Sequence, residues 1–508
     1  MAPTTQSRQG PSGVIVADER RKHEGSPLRR AVLVLVVIAL VAGGVTAWRT
    51  GWAEEQWHEW RGDDTTAQTD PAAVEPPPEV DAPAVVEPSP VAAPADGTAA
   101  LAAAAIDRAV TAHLDDKDLG RHVLASVAPL EGKGWAFDRT EGPALAIPAS
   151  TTKVVTSTAA LFLLGADHEF STTTVVSGGG RRPTVTLVGG GDPFLQAEQP
   201  SEASTSATFA PPTADLTTLA TRTADALRKS GTTAVRVAYD DSLFTGPAVN
   251  PTWEPDYIPD GVVSPITSLW IDEGRDPSGY GRVADPSATA AAAFAQALRA
   301  QGITVAGSPG HAVAPDQARQ LAEVRSATLA QIVQRLLEVS DNEATEVLLR
   351  HVGIAERGDG SFTGGQAGVK AVLRANGIDM GDSVLYDGSG LSRANRMSPR
   401  LLVEVLRLAA DERQAELWPV LSSLPVAGFT GSLTDRMDHG DPDGLGRVRA
   451  KTGTLTGVTS LAGIAVDRNG DLMAFALMAD RIPKNKDLLA RVAMDNAAAA
   501  LGACRCGA

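Results

Sequence analysis

The chain has 508 residues, room for two or three domains with sizeable cores. Hydrophobic residues make up 43% and charged residues 21%, the balance of ordinary globular protein, and the formal charge of −16 argues against a nucleic-acid partner, whose phosphates need clustered Lys and Arg. Nine of the 45 cationic residues are lysine, so a lysine at a particular place carries more information than usual.

Arg20, Arg21, Lys22, Arg29 and Arg30 precede an uncharged run at 31–47, AVLVLVVIALVAGGVTA. As a helix this run spans about 25 Å, the short end of what crosses a bilayer. Glu54 and Glu55 follow it. The asymmetry predicts a cytoplasmic leader at 1–30, a transmembrane anchor at 31–48 and an extracytoplasmic remainder. Val45-Thr46-Ala47 also fits a signal-peptidase site, so a cleaved, secreted form is the alternative; both export the body. Residues 49–98 are rich in Pro, Ala and acid (PAAVEPPPEVDAPAVVEPSPVAAPADG) and cannot bury enough apolar surface to order themselves. They read as a disordered linker that lifts a domain off the membrane.

The body begins near Ala99. LAAAAIDRAVTAHL predicts a helix, and the alternation in HVLASVAPL predicts a strand. IPASTTKVVTSTAALFLLG predicts a helix that is small or apolar on most faces, hence buried, with Gly165 after its end. Val- and Thr-rich strands follow (TTTVVSG, PTVTLVGGGDP), then a helix near 215–229, the strand AVRVAYD, and helices at 286–301 and 329–352. The end reads as strands RVRAKTGTLTG, SLAGIAVD and DLMAFALMAD, then a helix KDLLARVAMDNAAAAL. Cys504 and Cys506 are the two cysteines; a frayed tail is the favoured reading, with a local disulfide, an interchain bridge or metal binding as alternatives.

The eight histidines show no metal-ligand spacing, and no G-x-S-x-G elbow surrounds a plausible nucleophile, so neither a metal nor a cofactor is expected. Ser150-Thr151-Thr152-Lys153 offers a different chemistry. Pro148 and Ala149 place Ser150 in the first helical turn, where the dipole favours developing negative charge. Lys153, three residues on, shares its face, and it is the only lysine with a serine three positions before it, though read singly the pair is a helix-capping serine and a surface lysine. Burial would lower its pKa until a neutral amine could accept the serine proton, a task closed to arginine. Ser340-Asp341-Asn342 interrupts an apolar helical pattern and suggests a polar cleft wall: Ser340 relays protons and Asn342 binds a substrate amide. Read singly it is equally a helix cap at Ser340 with Glu343 in the box position. Lys451-Thr452-Gly453-Thr454 lies on a strand whose edge could pair with an extended peptide, Gly453 permitting close approach.

Together, Ser-x-x-Lys, Ser-Asp-Asn and Lys-Thr-Gly in that order are the motif set of serine β-lactamases and penicillin-binding proteins. The chain resembles the D-Ala-D-Ala carboxypeptidase/endopeptidases of peptidase family S13, the class C low-molecular-mass penicillin-binding proteins. Val188-Gly-Gly-Gly-Asp-Pro-Phe194, Tyr386-Asp-Gly-Ser-Gly-Leu-Ser-Arg393 with Asn395, Arg396, Ser398 and Pro399, and Ala450-Lys-Thr-Gly-Thr-Leu455 carry the likeness over about residues 100–500. The resemblance implies an α+β transpeptidase-like fold, an antiparallel sheet flanked by helices, built from 99–169 and 311–508 and interrupted by an inserted mixed domain at 170–310. It implies Ser150 as nucleophile, Lys153 as base, and Ser340 assisting proton transfer to the leaving amine. Asn342, Lys451, Thr452 and Thr454 would bind substrate, and the N–H groups of Ser150 and Thr454 would form an oxyanion hole. Asp341 should point away and carries no catalytic role. Peptidoglycan stem peptides are the implied substrate and β-lactam antibiotics the implied inhibitors. A β-lactamase-like or esterase activity on the same scaffold, or a quiet anchored wall-binding protein, are the alternatives.

Overall fold

The computed structural model describes residues 100–140, 144–199 and 209–507. The leader, anchor and linker expected over 1–98 lie outside the described residues. Among the described residues no helix is long and apolar enough to cross a membrane.

The described elements belong to one compact unit. In α1 (Ala103–Leu114) the spacing of Ile106, Val110 and Leu114 makes one buried stripe. Strands β1 (Val123–Pro129) and β2 (Phe137–Thr140) form a hairpin, and α2 (Thr152–Leu164) follows a short 3-10 turn at Ala149–Thr151. Every residue of α2 from Thr152 to Leu161 is buried, which its small and apolar composition permits on all faces.

The chain then leaves this lobe. Strands β3 (Ser171–Ser177) and β4 (Thr184–Val188) lead to α3 (Leu216–Lys229), β5 (Ala234–Asp240) and α4 (Pro286–Ala300). Short strands β6 (Thr304–Val305) and β7 (Gly310–His311) precede β8 (Arg319–Arg325). They form a mixed sheet ordered β6-β5-β4-β3-β8, with β7 also pairing β5. Parallel pairs lie on the β5 side and antiparallel pairs flank β3. Its own apolar core includes Leu187, Leu219, Val235, Phe294 and Leu298. Because β8 pairs with β3, the second sheet runs to Arg325, and the edge of the insertion expected at 310 falls short of its last strand.

Helices α5 (Leu329–Val339), α6 (Asn342–Arg357), α7 (Phe362–Ala375), α8 (Pro399–Ala409) and α9 (Trp418–Ser422) return the chain to the first lobe. The continuous helix expected over 329–352 is two helices. Ser340 adopts φ 63°, and Asp341 caps α6 by accepting from the Ala344 N–H at 2.9 Å. A left-handed non-glycine residue costs about 1–2 kcal/mol, so the break is held by its surroundings rather than by preference.

Strands β9 (Val448–Leu455), β10 (Val458–Val466) and β11 (Leu472–Ala479) complete an antiparallel sheet ordered β2-β1-β11-β10-β9, and α10 (Asp487–Ala503) closes the chain. The central strands read as unbroken apolar runs because both faces are covered. On one side α1 and α10 bury Phe475, Leu477 and Met494; on the other, α2, α5, α6 and α8 bury Val155, Leu336, Leu348 and Leu402.

The C-terminal tail is pinned. Cys504 and Cys506 form a disulfide, and Asp467 accepts from the N–H groups of Cys506 and Gly507 at 2.7 and 3.0 Å. Ala102 N–H donates to the Cys506 carbonyl, so the two ends of the lobe are tied together and the expected frayed tail is corrected.

Candidate active site

Ser150 sits in the 3-10 turn that leads into α2, and its approach is tightly built. Ala149 has φ 47°, a strained value for a residue with a β-carbon. Its carbonyl accepts from Thr152 Oγ1 at 2.8 Å, and the Pro148 carbonyl accepts from Thr151 Oγ1 at 2.7 Å and Ser460 Oγ at 2.6 Å. Asp480 takes the Ile147 N–H at 2.9 Å. The turn is thereby fixed from β10 and from the residue just after β11 before the helix begins. Ser150 itself is half-buried.

Lys153 is fully buried, and its ammonium nitrogen has three neighbours: Ser150 Oγ at 2.9 Å, Asn342 Oδ1 at 2.8 Å and the Ser389 carbonyl at 2.9 Å. The Asn342 orientation follows from its other end, because Nδ2 donates to the Val262 carbonyl at 2.8 Å and a carbonyl can only accept. Two of the three neighbours of Lys153 are therefore obligate acceptors, and the third is a hydroxyl. A neutral amine has two N–H groups and one lone pair. The two acceptors take the N–H groups and leave the lone pair for the Ser150 hydroxyl. Burial pushes the Lys153 pKa down to about 8, against the opposing pull of Glu346, Asp341, Asp387 and Glu343. The arrangement can deprotonate a serine.

The Ser389 carbonyl belongs to a loop whose N–H groups from Gly388 to Ser392 all have acceptors. Asp387, fully buried, accepts from Gly390 N–H (3.0 Å), Ser392 N–H (2.5 Å), Asn395 Nδ2 (2.7 Å) and Trp253 Nε1 (2.8 Å). Glu346 accepts from Ser389 N–H at 2.7 Å and Gly388 N–H at 3.0 Å, and Thr156 Oγ1 donates to the Gly388 carbonyl at 2.8 Å. The loop lies so close to the nucleophile turn that a β-carbon at Gly390 would come within 1.8 Å of the Ala149 carbonyl oxygen. Sequence reasoning singled out this stretch only as part of a likeness. A backbone carbonyl acting as ligand leaves no mark in residue identity.

The strand wall is β9. Gly453 brings it against the turn before Ser150: a β-carbon there would meet Ser460 Oγ at 2.1 Å and the Pro148 carbonyl oxygen at 2.7 Å. Lys451 is fully buried and donates to the Thr452 carbonyl at 2.8 Å. Burial lowers its pKa well below the ordinary lysine range, and the nearby charges of Lys153 and Arg436 push the same way. Thr452 Oγ1 lies 2.9 Å from Ser432 Oγ, a partner the sequence did not reveal. Thr454 is exposed, opposite Thr459 of β10. Segment 425–427 covers the outer edge of β9 at Val448–Ala450; among the described residues nothing pairs with it beyond Lys451.

Lys153 thus contacts both Ser150 and Asn342, and Lys451 and Thr452 lie on the facing strand. Ser340 is half-buried at the left-handed junction of α5 and α6; among the described residues no hydrogen bond joins its hydroxyl to Ser150 or Lys153. Asn342 is held at both ends, leaving one N–H and one oxygen lone pair for a ligand. Asp341 turns into the helix start as its cap, and Glu343 pairs with Arg282 of the inserted segment at 2.7 Å, so the cap reading at Ser340 is corrected by one residue. Burial, with the nearby charges of Glu273 and Glu343, raises the Asp341 pKa.

An antiparallel sheet covered by helices, with a serine–lysine pair at a buried helix start facing a Lys-Thr-Gly edge strand, defines the fold class of penicillin-binding proteins and serine β-lactamases. The chain belongs to the D-Ala-D-Ala carboxypeptidase 3 (S13) family, whose profile matches residues 106–279 and 276–501. It is 35% identical over 419 residues to carboxypeptidase Rv3627c of Mycobacterium tuberculosis, covering 81% of this chain and 87% of that protein. It is 37% identical to carboxypeptidase DacB of Mycolicibacterium smegmatis, over 71% of this chain and 76% of the relative. Penicillin binding protein 4 (dacB) of Haemophilus influenzae shares the fold, with a TM-score of 0.62 at 20% identity over 77% of this chain and 98% of that one.

Proposed function

We propose that the chain is a serine-type D-Ala-D-Ala carboxypeptidase that trims peptidoglycan stem peptides through an acyl-enzyme on Ser150. The observation that carries this reading is the buried Lys153 nitrogen 2.9 Å from Ser150 Oγ, with two acceptors for the N–H groups it keeps once neutral. Lys153 takes the hydroxyl proton as Ser150 Oγ bonds to the carbonyl carbon of the penultimate D-Ala. The oxyanion meets the N–H groups of Ser150 and Thr454, donors fixed before the substrate arrives. The C–N bond then breaks, the leaving D-Ala amine receives the proton with Ser340 assisting, and water hydrolyses the ester. Lys451, with Thr452 and Thr454, holds the terminal carboxylate, and Asn342 offers its free N–H to the substrate amide. An amide joining the D-Ala carbonyl to another stem's amine would form the same acyl-enzyme, so endopeptidase cleavage needs no further chemistry. Penicillins acylate the same serine.

The uncharged run at 31–47 and its basic leader support a single-pass anchor with the catalytic lobe outside the cell membrane. The test of the enzymatic reading is incubation with a fluorescent penicillin and, separately, with a pentapeptide ending in D-Ala-D-Ala. A stable labelled band and released D-Ala are expected. Absence of both, or a label lost within minutes as in a β-lactamase, contradicts the reading.

A further inference from the structure

Glu346 has no part in the motif set, yet it is fully buried beside the base. It lies one helical turn beyond Asn342 on α6, so both side chains face α2 and the 387–392 loop. Its Oε1 accepts the Ser389 N–H at 2.7 Å and the Gly388 N–H at 3.0 Å, while Oε2 lies 3.1 Å from the same Gly388 nitrogen. The residue so held is the one whose carbonyl accepts from Lys153. Gly388 cannot be replaced to make this contact otherwise, since a β-carbon there would lie 2.9 Å from Leu349 Cβ and 3.1 Å from the Thr345 carbonyl oxygen.

We propose that Glu346 is a positioning residue for Lys153: it fixes the Ser389 carbonyl as one of the two acceptors that turn the lone pair toward Ser150, and its charge governs how tightly Lys153 holds a proton. This rests on the reading of Lys153 as base and deepens it. Lys153 faces Glu346, Asp341 and Glu343 from α6 and its cap, Asp387 from the loop, and Lys451 from β9. Glu346 has the largest influence of the four carboxylates, opposing the burial that lowers the lysine. Glu346 is itself raised to about 8 by burial and by Asp387. Lys153 feels the Glu346 charge, and by reciprocity removing either member shifts the other.

The sign is fixed by electrostatics. Where Glu346 is ionised its charge favours the ammonium, so Glu346→Gln, which can carry no charge at any pH, lets Lys153 lose its proton at lower pH. In protein with 13C-labelled lysine, the nine lysines make a short spectrum and Lys153→Arg identifies the Lys153 signal. The Lys153 midpoint is expected to fall in Glu346→Gln; an unchanged midpoint overturns the proposal. Linkage requires the reciprocal: in Lys153→Met the Glu346 carboxyl midpoint rises by a similar amount, and this second variant decides the matter if Glu346→Gln does not fold. Neither readout needs catalysis, so they hold even if the protein takes no penicillin and the enzymatic reading fails. In acylation assays the acid limb of Glu346→Gln moves to lower pH and the plateau drops about tenfold as the Ser389 carbonyl loses its clamp. A lowered plateau with an unmoved limb makes Glu346 merely structural and overturns its role in setting the Lys153 charge.

Discussion

The helix wall and the strand wall each bury one lysine completely, and the two sites are electrostatic opposites. Lys153, on α2, is ringed by the carboxylates of Glu346, Asp341, Asp387 and Glu343, which offset part of its desolvation and leave it at about 8. Lys451, on β9, has as its charged neighbours Lys153 and Arg436, and Arg436 is already paired with Asp495 at 2.6 Å. Desolvation and like charge therefore act together on Lys451. Equal burial thus yields different tools. Lys153 has acceptors for its N–H groups and a serine at its lone pair, which suits a base. Among the described residues no carboxylate offsets the burial of Lys451, so the carboxylate clamp proposed for it would bring the counter-charge with the substrate.

The sharpest way to break this contrast is the same exchange at both sites. Lys153→Arg keeps a cation but removes the base, because guanidinium does not deprotonate. Acylation by penicillin should fall by about 10²–10⁴-fold, the usual worth of a general base, read as the rate of covalent labelling. Rates near wild type would remove Lys153 from the proton step. In the wild type, the neutral amine fraction grows as pH rises through about 8, so acylation should climb with pH up to that point and fall about tenfold per unit below it. A rate that is flat between pH 6 and 9 contradicts this assignment.

Lys451→Ala is the next largest change. A charge-assisted contact is worth about 1.5–3 kcal/mol, so penicillin and D-Ala-D-Ala peptides should both lose about ten- to a hundredfold in acylation efficiency. Lys451→Arg should recover part of that loss, since a fixed positive charge serves an anion clamp, whereas arginine at 153 recovers nothing. If arginine rescues neither site, Lys451 also handles protons. If it rescues both, neither lysine is the base.

The smallest expected effect probes where the two walls touch. Gly453→Ala would place a methyl group 2.1 Å from Ser460 Oγ and 2.7 Å from the Pro148 carbonyl oxygen, forcing β9 away from the Ser150 turn. Overpacking of this kind costs about 1–3 kcal/mol, visible as a lowered thermal midpoint. An unchanged midpoint would mean that the strand and the nucleophile turn are not in close register.

Much of this contrast was legible in the sequence, because lysine chemistry and motif spacing are properties of side chains. Ser150 and Lys153 share a helix face, and Lys451 lies on a strand, as their patterns predict. The break between α5 and α6 was legible only as the cap alternative at Ser340, one residue early, since the left-handed residue there hands the capping to Asp341. The second sheet extended beyond expectation because β8 pairs with β3, a partner far away in the chain. The acceptor shell of Lys153 was half hidden for a different reason: Asn342 stands in a motif, but Ser389 acts through its carbonyl, and the Val262 carbonyl that orients Asn342 is equally silent in sequence. Glu346 was invisible because its partners are backbone N–H groups brought together only by folding. The C-terminal tail is ordered by Asp467, a turn residue whose bonds to Cys506 and Gly507 no local pattern announces.

The central claim is that Ser150 carries the acyl group, and the direct test is to find it. Protein reacted with penicillin and digested should show one covalent adduct, on the peptide containing Ser150, and Ser150→Ala should show none while keeping the wild-type thermal midpoint. An adduct on another serine, or one that persists in Ser150→Ala, would contradict the account.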